Sequence, residues 1–291
     1  MDKPLTVGIL GAGTMGTGIA TVTARAGHRT ILRDLTEAAV QAGVGRVRQF
    51  LDKSVELGKM PAEQRDAAAA GLTGTTGLDD LAECDIVVEA VFEDVALKAE
   101  LFGRLDDICA PTTLFHTNTS TLSVTAIAAG SSRPERVVGT HYCNPAPLMR
   151  LVEVARARQT SDEAYHATTE FLAGLGKVTV TTRDTPGFIV NRFLIPFEND
   201  CIRALEAGLG TVESIDQAVT RGLGHPMGPF TLLDIVGLEI HRAVSLSLYE
   251  QLRDARFAPP PLVEQMVAAG HLGRKTGRGF YTYDEPRMFG T

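Results

Sequence analysis

The sequence predicts an α/β fold in two parts: a doubly wound, mainly parallel sheet followed by a helical domain. Over residues 5–184, apolar segments of strand length alternate with segments of helical periodicity. A glycine-rich turn joins the first of these strands to the first helix. After residue 187 the alternation stops and helical spacing takes over. A strand–helix alternation of this length is typical of a parallel sheet with helices on both faces.

The first strand is expected at residues 5–10, where a short β-branched segment ends in glycine. Apolar side chains at helical spacing predict a helix over 14–26, and Gly27 ends it. A second strand is expected at 30–33, directly before Asp34. A strand, a helix and a strand in this order predict parallel pairing.

Residues 37–70 are rich in alanine, glutamine and charge, and they predict one or two amphipathic helices. Residues 95–108 predict a further helix. The segment DIVVEAVF has the near-continuous apolar character of a strand that is buried on both faces. This strand is expected at 85–92. Further strands are expected at 112–118, 137–145, 151–156 and 177–184.

The change of pattern places a domain boundary near residues 184–187. We therefore predict an α/β domain over 1–184 and a mostly helical domain over 185–291; a chain of 291 residues has the length of two ordinary domains. Helical spacing covers 188–256, with loops expected at 208–211 and 224–229. One short strand is expected at 280–283.

Composition restricts the classes of partner and location. The formal net charge is −7 and no run of lysines or arginines occurs, so neither nucleic acid nor an anionic membrane surface is an expected partner. No stretch reaches the length of a membrane span, and the apolar run at the N-terminus is too short for a signal peptide. The four cysteines have no C-x-x-C spacing. They are interpreted as reduced thiols of a cytoplasmic protein, and no metal site is expected.

The glycine turn carries the most specific local motif. Gly11, Gly13 and Gly16 form a G-x-G-x-x-G pattern that follows a strand and opens a helix. The first glycine permits a tight turn, the second lets a pyrophosphate approach the backbone, and the third allows close packing of helix on strand. The context is that of a Rossmann-type domain. Asp34, at the end of the second strand, can bind the ribose hydroxyls and repels a 2′-phosphate, which favours NAD over NADP.

His141 and Glu153 are a candidate acid–base pair on two successive predicted strands. An enzyme that oxidises an alcohol by hydride transfer needs a base near neutral pH, and a carboxylate behind a histidine fixes its tautomer. A lone histidine is more often structural. The placement of His141 at the carboxyl end of a strand favours function, because ligands bind outside that end of an open α/β sheet.

Two polar segments support either function or ordinary loop structure. In HTNTST, Asn118 and Ser120 could hydrogen-bond a carbonyl or hydroxyl group, or the segment could be a turn or helix cap. In GRKTGRGF, the basic residues around Lys275 could meet a phosphate or lie in a solvated loop.

The chain resembles the short-chain L-3-hydroxyacyl-CoA dehydrogenase family, which includes bacterial 3-hydroxybutyryl-CoA dehydrogenases. The resemblance covers residues 5–283. Its motifs occur in family order and are GAGTMGTGIA, DIVVEAVFED, NTSTLSV, HYCNPAPLMRLVEV, DTPGFIVNR, GHPMGPFTLLDIVGL and GRKTGRGFY.

The resemblance implies reversible, NAD-dependent oxidation of an L-3-hydroxyacyl thioester, of the kind found in fatty acid metabolism. It implies that His141 is the catalytic base, that Glu153 orients it, and that Ser120 and Asn191 bind near the reacting oxygen. It also implies a homodimer formed through the C-terminal domain. The implied NAD contacts are Gly11, Gly13, Thr14, Met15, Gly16, Asp34, Glu93, Lys98, Asn118, Asn144 and Lys275.

The chain departs from the family pattern in three places. Tyr142 and Cys143 stand where two phenylalanines are usual, residues 115–117 replace small residues, and Phe50 stands where some members have a CoA-contacting serine. Two alternatives therefore remain beside the CoA thioester. The same chemistry could act on a group carried by acyl carrier protein or on a free sugar or hydroxy acid. A non-catalytic NAD-binding protein, structural like the related lens crystallins or a sensor, is the other alternative.

Overall fold

The computed structural model describes residues 3–284 of the chain. The chain divides into two compact units, Met1–Thr185 and Pro186–Thr291. The first unit holds the whole sheet, and the second is built from helices.

The first unit contains an eight-stranded sheet in the order β3-β2-β1-β4-β5-β6-β7-β8. All neighbouring strands are parallel except β6 and β7, which are antiparallel. The order reverses between β1 and β4, and in such sheets ligands bind at the carboxyl edge of the strands at this reversal. The predicted Rossmann-type doubly wound sheet is thus confirmed. The strands are β1 (Thr6–Leu10), β2 (Arg29–Arg33), β3 (Leu72–Thr75), β4 (Ile86–Glu89), β5 (Leu114–Thr117), β6 (Val137–Tyr142), β7 (Leu151–Arg156) and β8 (Val178–Arg183).

Helices cover both faces of this sheet. The predicted helix pattern over 37–70 forms two helices, and Pro61 is the residue that caps the second of them. Buried side chains of the sheet and of the first helices form the main apolar core, which includes Ile9, Ile19, Val88 and Leu32. The helices are α1 (Thr14–Arg25), α2 (Glu37–Glu56), α3 (Ala62–Ala70), α4 (Val95–Ile108), α5 (Val124–Ala128) and α6 (Asp162–Gly174).

Strand β3 was not predicted from the sequence, and its packing explains why. It lies at the sheet edge, and its sequence LTGT has only one buried position, so it shows no apolar alternation. A Cβ at Gly74 would lie 2.5 Å from Val40 Cγ1 of α2. Pairing with β2 and close packing of α2 thus accompany this strand, and these are tertiary effects that strand propensity does not capture.

The second unit is helical in its described part, with loops at the two predicted positions, 208–211 and 224–229. Its core is formed around buried Phe230, Leu233 and Leu238. Its helices are α7 (Val190–Glu206), α8 (Val212–Gly222), α9 (Pro229–Val236), α10 (Leu238–Leu252) and α11 (Pro261–Ala268).

The predicted strand at 280–283 is wrong. The segment makes only isolated bridges, such as the one between Arg278 and Thr282. The carboxylate of Asp234 accepts the backbone N–H groups of Phe280 and Tyr281, each at 2.8 Å. Because these N–H groups are bound by a side chain, they are not available to a strand ladder.

Within residues 3–284, no helix is long and apolar enough to cross a membrane. No group of three or more His, Cys, Asp or Glu side chains in that same range is arranged to hold a metal ion. The four cysteines carry free thiols.

Candidate active site

Each of the three glycines in the turn between β1 and α1 has a different structural reason. Gly11 has a φ of 99°, a conformation that L side chains rarely adopt. A Cβ at Gly16 would lie 1.7 Å from the carbonyl oxygen of Gly11. At Gly13, by contrast, a Cβ would meet nothing within 4 Å. The first glycine is therefore required by its backbone conformation and the third by packing, while the second leaves open space at the N-terminus of α1, as a pyrophosphate group requires.

Asp34 ties the end of β2 to this turn. Its Oδ2 accepts the backbone N–H of Ala12 at 2.6 Å, and its Oδ1 accepts that of Leu35 at 2.6 Å. Thr14 and Met15 form the first turn of α1 beside it. The turn, the helix end and the carboxylate are the three parts expected of an NAD site.

His141 and Glu153 face each other on the two antiparallel strands β6 and β7. His141 Nδ1 lies 2.8 Å from Glu153 Oε2, and the Glu153 side chain is fully buried. An ionised carboxylate only accepts hydrogen bonds, so this contact keeps the proton of the neutral imidazole on Nδ1. Nε2 then carries the lone pair that can accept a proton, and Ser120 Oγ lies 3.1 Å from it.

Glu93 holds the backbone that carries Ser120. Its Oε1 accepts the backbone N–H of Ser120 at 2.8 Å and that of Thr121 at 3.2 Å, and it also accepts the Thr119 hydroxyl. Burial on its own raises the pKa of Glu93. Lys98, the Thr119 hydroxyl and the Ser120 N–H outweigh that effect and hold the pKa below its usual value. Glu93 is thus kept charged where it anchors the loop.

Asn118 connects the same loop to the strand of His141. Its Oδ1 accepts the backbone N–H of Tyr142 at 3.0 Å. The loop after β5 and the end of β6 are therefore fixed to each other, which brings Ser120 next to His141.

Lys98 lies behind Glu93 and is fully buried. Its Nζ binds Glu89 Oε1 at 2.7 Å and Glu93 Oε2 at 3.2 Å. Because its side chain is enclosed, Lys98 faces these two carboxylates and not the surface. The direct contact with NAD that the resemblance implies for Lys98 stays a prediction.

Glu89 is a site residue that the sequence analysis missed. It is fully buried at the end of β4, and it also accepts Thr117 Oγ1 at 2.7 Å and the Val91 N–H at 2.7 Å. Burial raises the pKa of Glu89, although Lys98 and the hydrogen bonds act against this. The signal was present in the sequence, because a single carboxylate inside a strand buried on both faces needs a buried partner.

The other predicted residues lie apart along the chain. Asn144 is exposed in the loop after β6. Asn191 lies in the first turn of α7, and Lys275 lies in a short 3-10 turn, where its Nζ pairs with Glu239. Asn191 and Lys275 belong to the second unit, and their part in the site stays a prediction.

Two family models together match nearly the whole chain. The model of the 3-hydroxyacyl-CoA dehydrogenase NAD binding domain matches residues 6–185, and that of the 3-hydroxyacyl-CoA dehydrogenase C-terminal domain matches residues 187–283. The chain belongs to the 3-hydroxyacyl-CoA dehydrogenase family. As a member, it uses NAD as its cofactor and is an oxidoreductase that acts on a CH–OH group.

Relatives and solved structures of the family are similar over almost their full length. A 3-hydroxybutyryl-CoA dehydrogenase of Mycobacterium tuberculosis is 44% identical over 279 residues, which are 95% of this chain and 98% of the relative. The mitochondrial hydroxyacyl-coenzyme A dehydrogenase of Rattus norvegicus is 40% identical and covers 95% of this chain and 90% of its own. The crystal structure of (S)-3-hydroxybutyryl-CoA dehydrogenase from Ralstonia eutropha has a TM-score of 0.91 at 42% identity, covering 97% of this chain and 100% of its own.

Two departures from the family motif, Tyr142 and Cys143, directly follow His141 in the chain. Tyr142 is buried in the apolar core on the sheet face opposite to His141, because successive strand residues point to opposite faces. Cys143 is half-buried, and burial together with the charge of Glu153 raises its pKa to about 11, so its thiol stays protonated. Neither change removes a hydrogen bond from His141, Glu153 or Ser120.

Proposed function

We propose that the protein oxidises the 3-hydroxyl of a short L-3-hydroxyacyl-CoA, with 3-hydroxybutyryl-CoA as the representative substrate, and that His141 is the general base. The observation that carries the proposal is the placement of His141 between Glu153 and Ser120 in the sheet that also holds the glycine turn. The substrate follows from the names of relatives that are 44% and 42% identical.

His141 Nε2 accepts the proton of the substrate hydroxyl as the 3-carbon becomes a carbonyl carbon. The imidazolium that forms is stabilised by the carboxylate of Glu153, 2.8 Å from Nδ1. The Ser120 hydroxyl, 3.1 Å from Nε2, would turn its proton toward the substrate oxygen and orient it. In the reverse direction, protonated His141 returns the proton to the oxygen.

The cofactor-binding residues fit NAD by their shape and charge. The open backbone at Gly13 and the N-terminus of α1 suit the pyrophosphate, and the carboxylate of Asp34 suits the ribose. When bound, the nicotinamide ring of NAD⁺ supplies the acceptor for the hydride that leaves the 3-carbon. Glu93 accepts a backbone hydrogen bond from Ser120 and so positions its loop, and Lys98 forms an ion pair with Glu93. The resemblance adds Glu93, Lys98, Asn118, Asn144 and Lys275 to the cofactor-binding set, and it assigns Asn191 to the surroundings of the reacting oxygen.

A substrate panel tests the reaction and its thioester carrier together. Production of NADH would be measured with 3-hydroxybutyryl-CoA, with the same acyl group on acyl carrier protein, and with free 3-hydroxybutyrate and sugar acids. We expect the highest kcat/KM with the CoA thioester. A preference for the carrier protein or for a free acid would contradict the CoA assignment, and no NADH with any substrate would favour the non-catalytic alternative.

The role of His141 is tested by His141→Ala. General acid–base groups contribute about 10²–10⁴-fold to turnover, so we expect kcat to fall by that factor while NAD still binds. His166→Ala is the control, because His166 is exposed on α6. Turnover of His141→Ala close to that of the unmodified protein would remove His141 from the mechanism.

A further inference from the structure

A concavity in the first unit gathers positive charge without a counter-ion. It has a volume of about 340 Å³ and is lined by parts of α1 and α3, by the loop between β6 and β7, and by the turn between α6 and β8. Arg25, Arg150 and Lys177 line it, and no carboxylate does so among the described residues. This is unexpected in a chain whose formal net charge is −7.

Backbone carbonyls fix the position of one of these cations. Lys177 Nζ donates to the carbonyl oxygens of Ala146 at 2.5 Å and Met149 at 2.8 Å. Burial, and then the charge of Arg25, hold the pKa of Lys177 below its usual value. The side chains of Arg25 and Arg150 form no ion pair with any residue in the described range 3–284. Like charges that repel one another without a counter-ion reduce the stability of the fold.

Local structure accounts for only part of this cluster. Arg25 lies in the last turn of α1, where a cation interacts favourably with the helix C-terminus. No helix C-terminus accounts for the charge of Arg150, because this residue directly precedes the strand β7. An anion bound in the concavity would neutralise the charge of the three cations that line it.

We propose that this concavity is a binding site for an organic phosphate. Two arginines and a lysine match the charge of a phosphate group, and the planar guanidinium groups can bind its oxygens in pairs. Val22, Met60 and Leu148 supply apolar surface beside the cations, which suits a small organic group attached to the phosphate. The site is separate in composition from the glycine turn and from His141, since none of those residues lines it.

The binding test is titration calorimetry with inorganic pyrophosphate and with ADP. Saturating NAD⁺ is present throughout, so that the glycine turn is already filled. We expect one equivalent of each probe to bind, and ADP to bind more tightly than pyrophosphate. A hydrogen bond to a charged group corresponds to roughly tenfold in affinity or more, so Arg25→Gln and Arg150→Gln should each weaken binding by about tenfold. Arg158→Gln, an exposed arginine of the same unit that does not line the concavity, is the control and should bind as the unmodified protein does.

Absence of binding, or equal binding by all three variants, would overturn the proposal. A second measurement identifies the source of the phosphate. If the concavity takes the phosphates of the thioester substrate, pyrophosphate competes with acyl-CoA, and the double variant Arg25→Gln/Arg150→Gln has a higher KM for acyl-CoA. If it takes a separate metabolite, pyrophosphate binds together with acyl-CoA and that KM is unchanged. The calorimetry measures binding without turnover, so its result does not depend on whether the protein catalyses the proposed reaction.

Discussion

His116 lies on β5 with its ring fully buried and its Nε2 2.9 Å from Thr168 Oγ1. Burial lowers its pKa from 6.5 to about 3, so the folded protein holds this histidine neutral. Between these two values the unfolded chain binds a proton that the folded chain does not. Stability is therefore fully present above pH 6.5 and falls as the pH is lowered toward 3.

We expect His116→Gln to remove part of this acid sensitivity. The loss of unfolding free energy per unit of pH, about 1.4 kcal/mol for one such group, should be smaller in the variant between pH 6 and 4. Urea unfolding at several pH values measures it. His166→Gln, at an exposed position on α6, should keep the slope of the unmodified protein. Equal slopes for His116→Gln and the unmodified protein would show that His116 does not titrate in this way.

Glu89 and Lys98 form a fully buried ion pair that supports Glu93. Glu89→Gln removes one charge and leaves the Lys98 ammonium buried with Glu93 as its remaining charged partner. Breaking a buried pair in this way costs about 3–5 kcal/mol, whereas replacing both partners by uncharged groups can be nearly neutral. We expect a large drop in the midpoint of urea unfolding for Glu89→Gln and a partial recovery in Glu89→Gln/Lys98→Met.

The exposed Glu83, in the loop before β4, provides the control substitution Glu83→Gln. A midpoint for Glu89→Gln that matches this control would show that the buried pair contributes little. Recovery of stability without recovery of kcat in the double variant would indicate that Lys98 also positions Glu93 for the reaction.

At the scale of one helix, α2 contains two glycines with opposite surroundings. A Cβ at Gly43 would lie 2.8 Å from Ala12 Cβ and 2.9 Å from Leu32 Cδ2, whereas a Cβ at Gly45 would meet nothing within 4 Å. Glycine inside a helix is less stable than alanine by about 0.5–1 kcal/mol. We therefore expect Gly45→Ala to stabilise the protein by that amount.

Gly43→Ala should do the opposite, because overpacking costs about 1–3 kcal/mol. It should also raise KM for NAD, since Ala12 lies in the glycine turn and its N–H binds Asp34. Thermal unfolding and NAD titration of the two variants measure these effects in the same helix. A lower melting temperature for Gly45→Ala, or an unchanged one for Gly43→Ala, would contradict the packing argument.

At the scale of the whole molecule, we propose that two chains associate through the second unit, as the family resemblance implies. This unit exposes several large apolar side chains, and 73% of Phe193 on α7 is accessible. Apolar side chains left exposed in one chain are typical of an interface with another. Sedimentation should give twice the chain mass of 31.1 kDa. We expect Phe193→Ser to shift the protein toward the monomer.

Leu57→Ser is the control, because Leu57 is an exposed leucine of the first unit. A monomer in the unmodified protein would contradict the proposal, and so would an equal shift with both variants. The predicted cytoplasmic location is a separate proposal, and fractionation of cells that express the full chain would test it.

The sequence alone was enough for the fold class and the cofactor motif. Strand and helix periods, the glycine turn and Asp34 at a strand end are properties of contiguous residues, so they can be recognised without a structure. Where periodicity was weak or absent, prediction failed. The edge strand β3 was missed, and the segment 280–283 was assigned a strand although Asp234 binds its N–H groups.

The tertiary structure decided which side chains meet. His141 and Glu153 were named from the sequence, but only the antiparallel register of β6 and β7 places them opposite each other. Glu89 joins Lys98 and Glu93 because β4 ends where α4 begins to pack against it. A local pattern specifies an element and the face that it buries. The partners of a buried charge lie on other elements, and only the packing of those elements brings them within hydrogen-bonding distance.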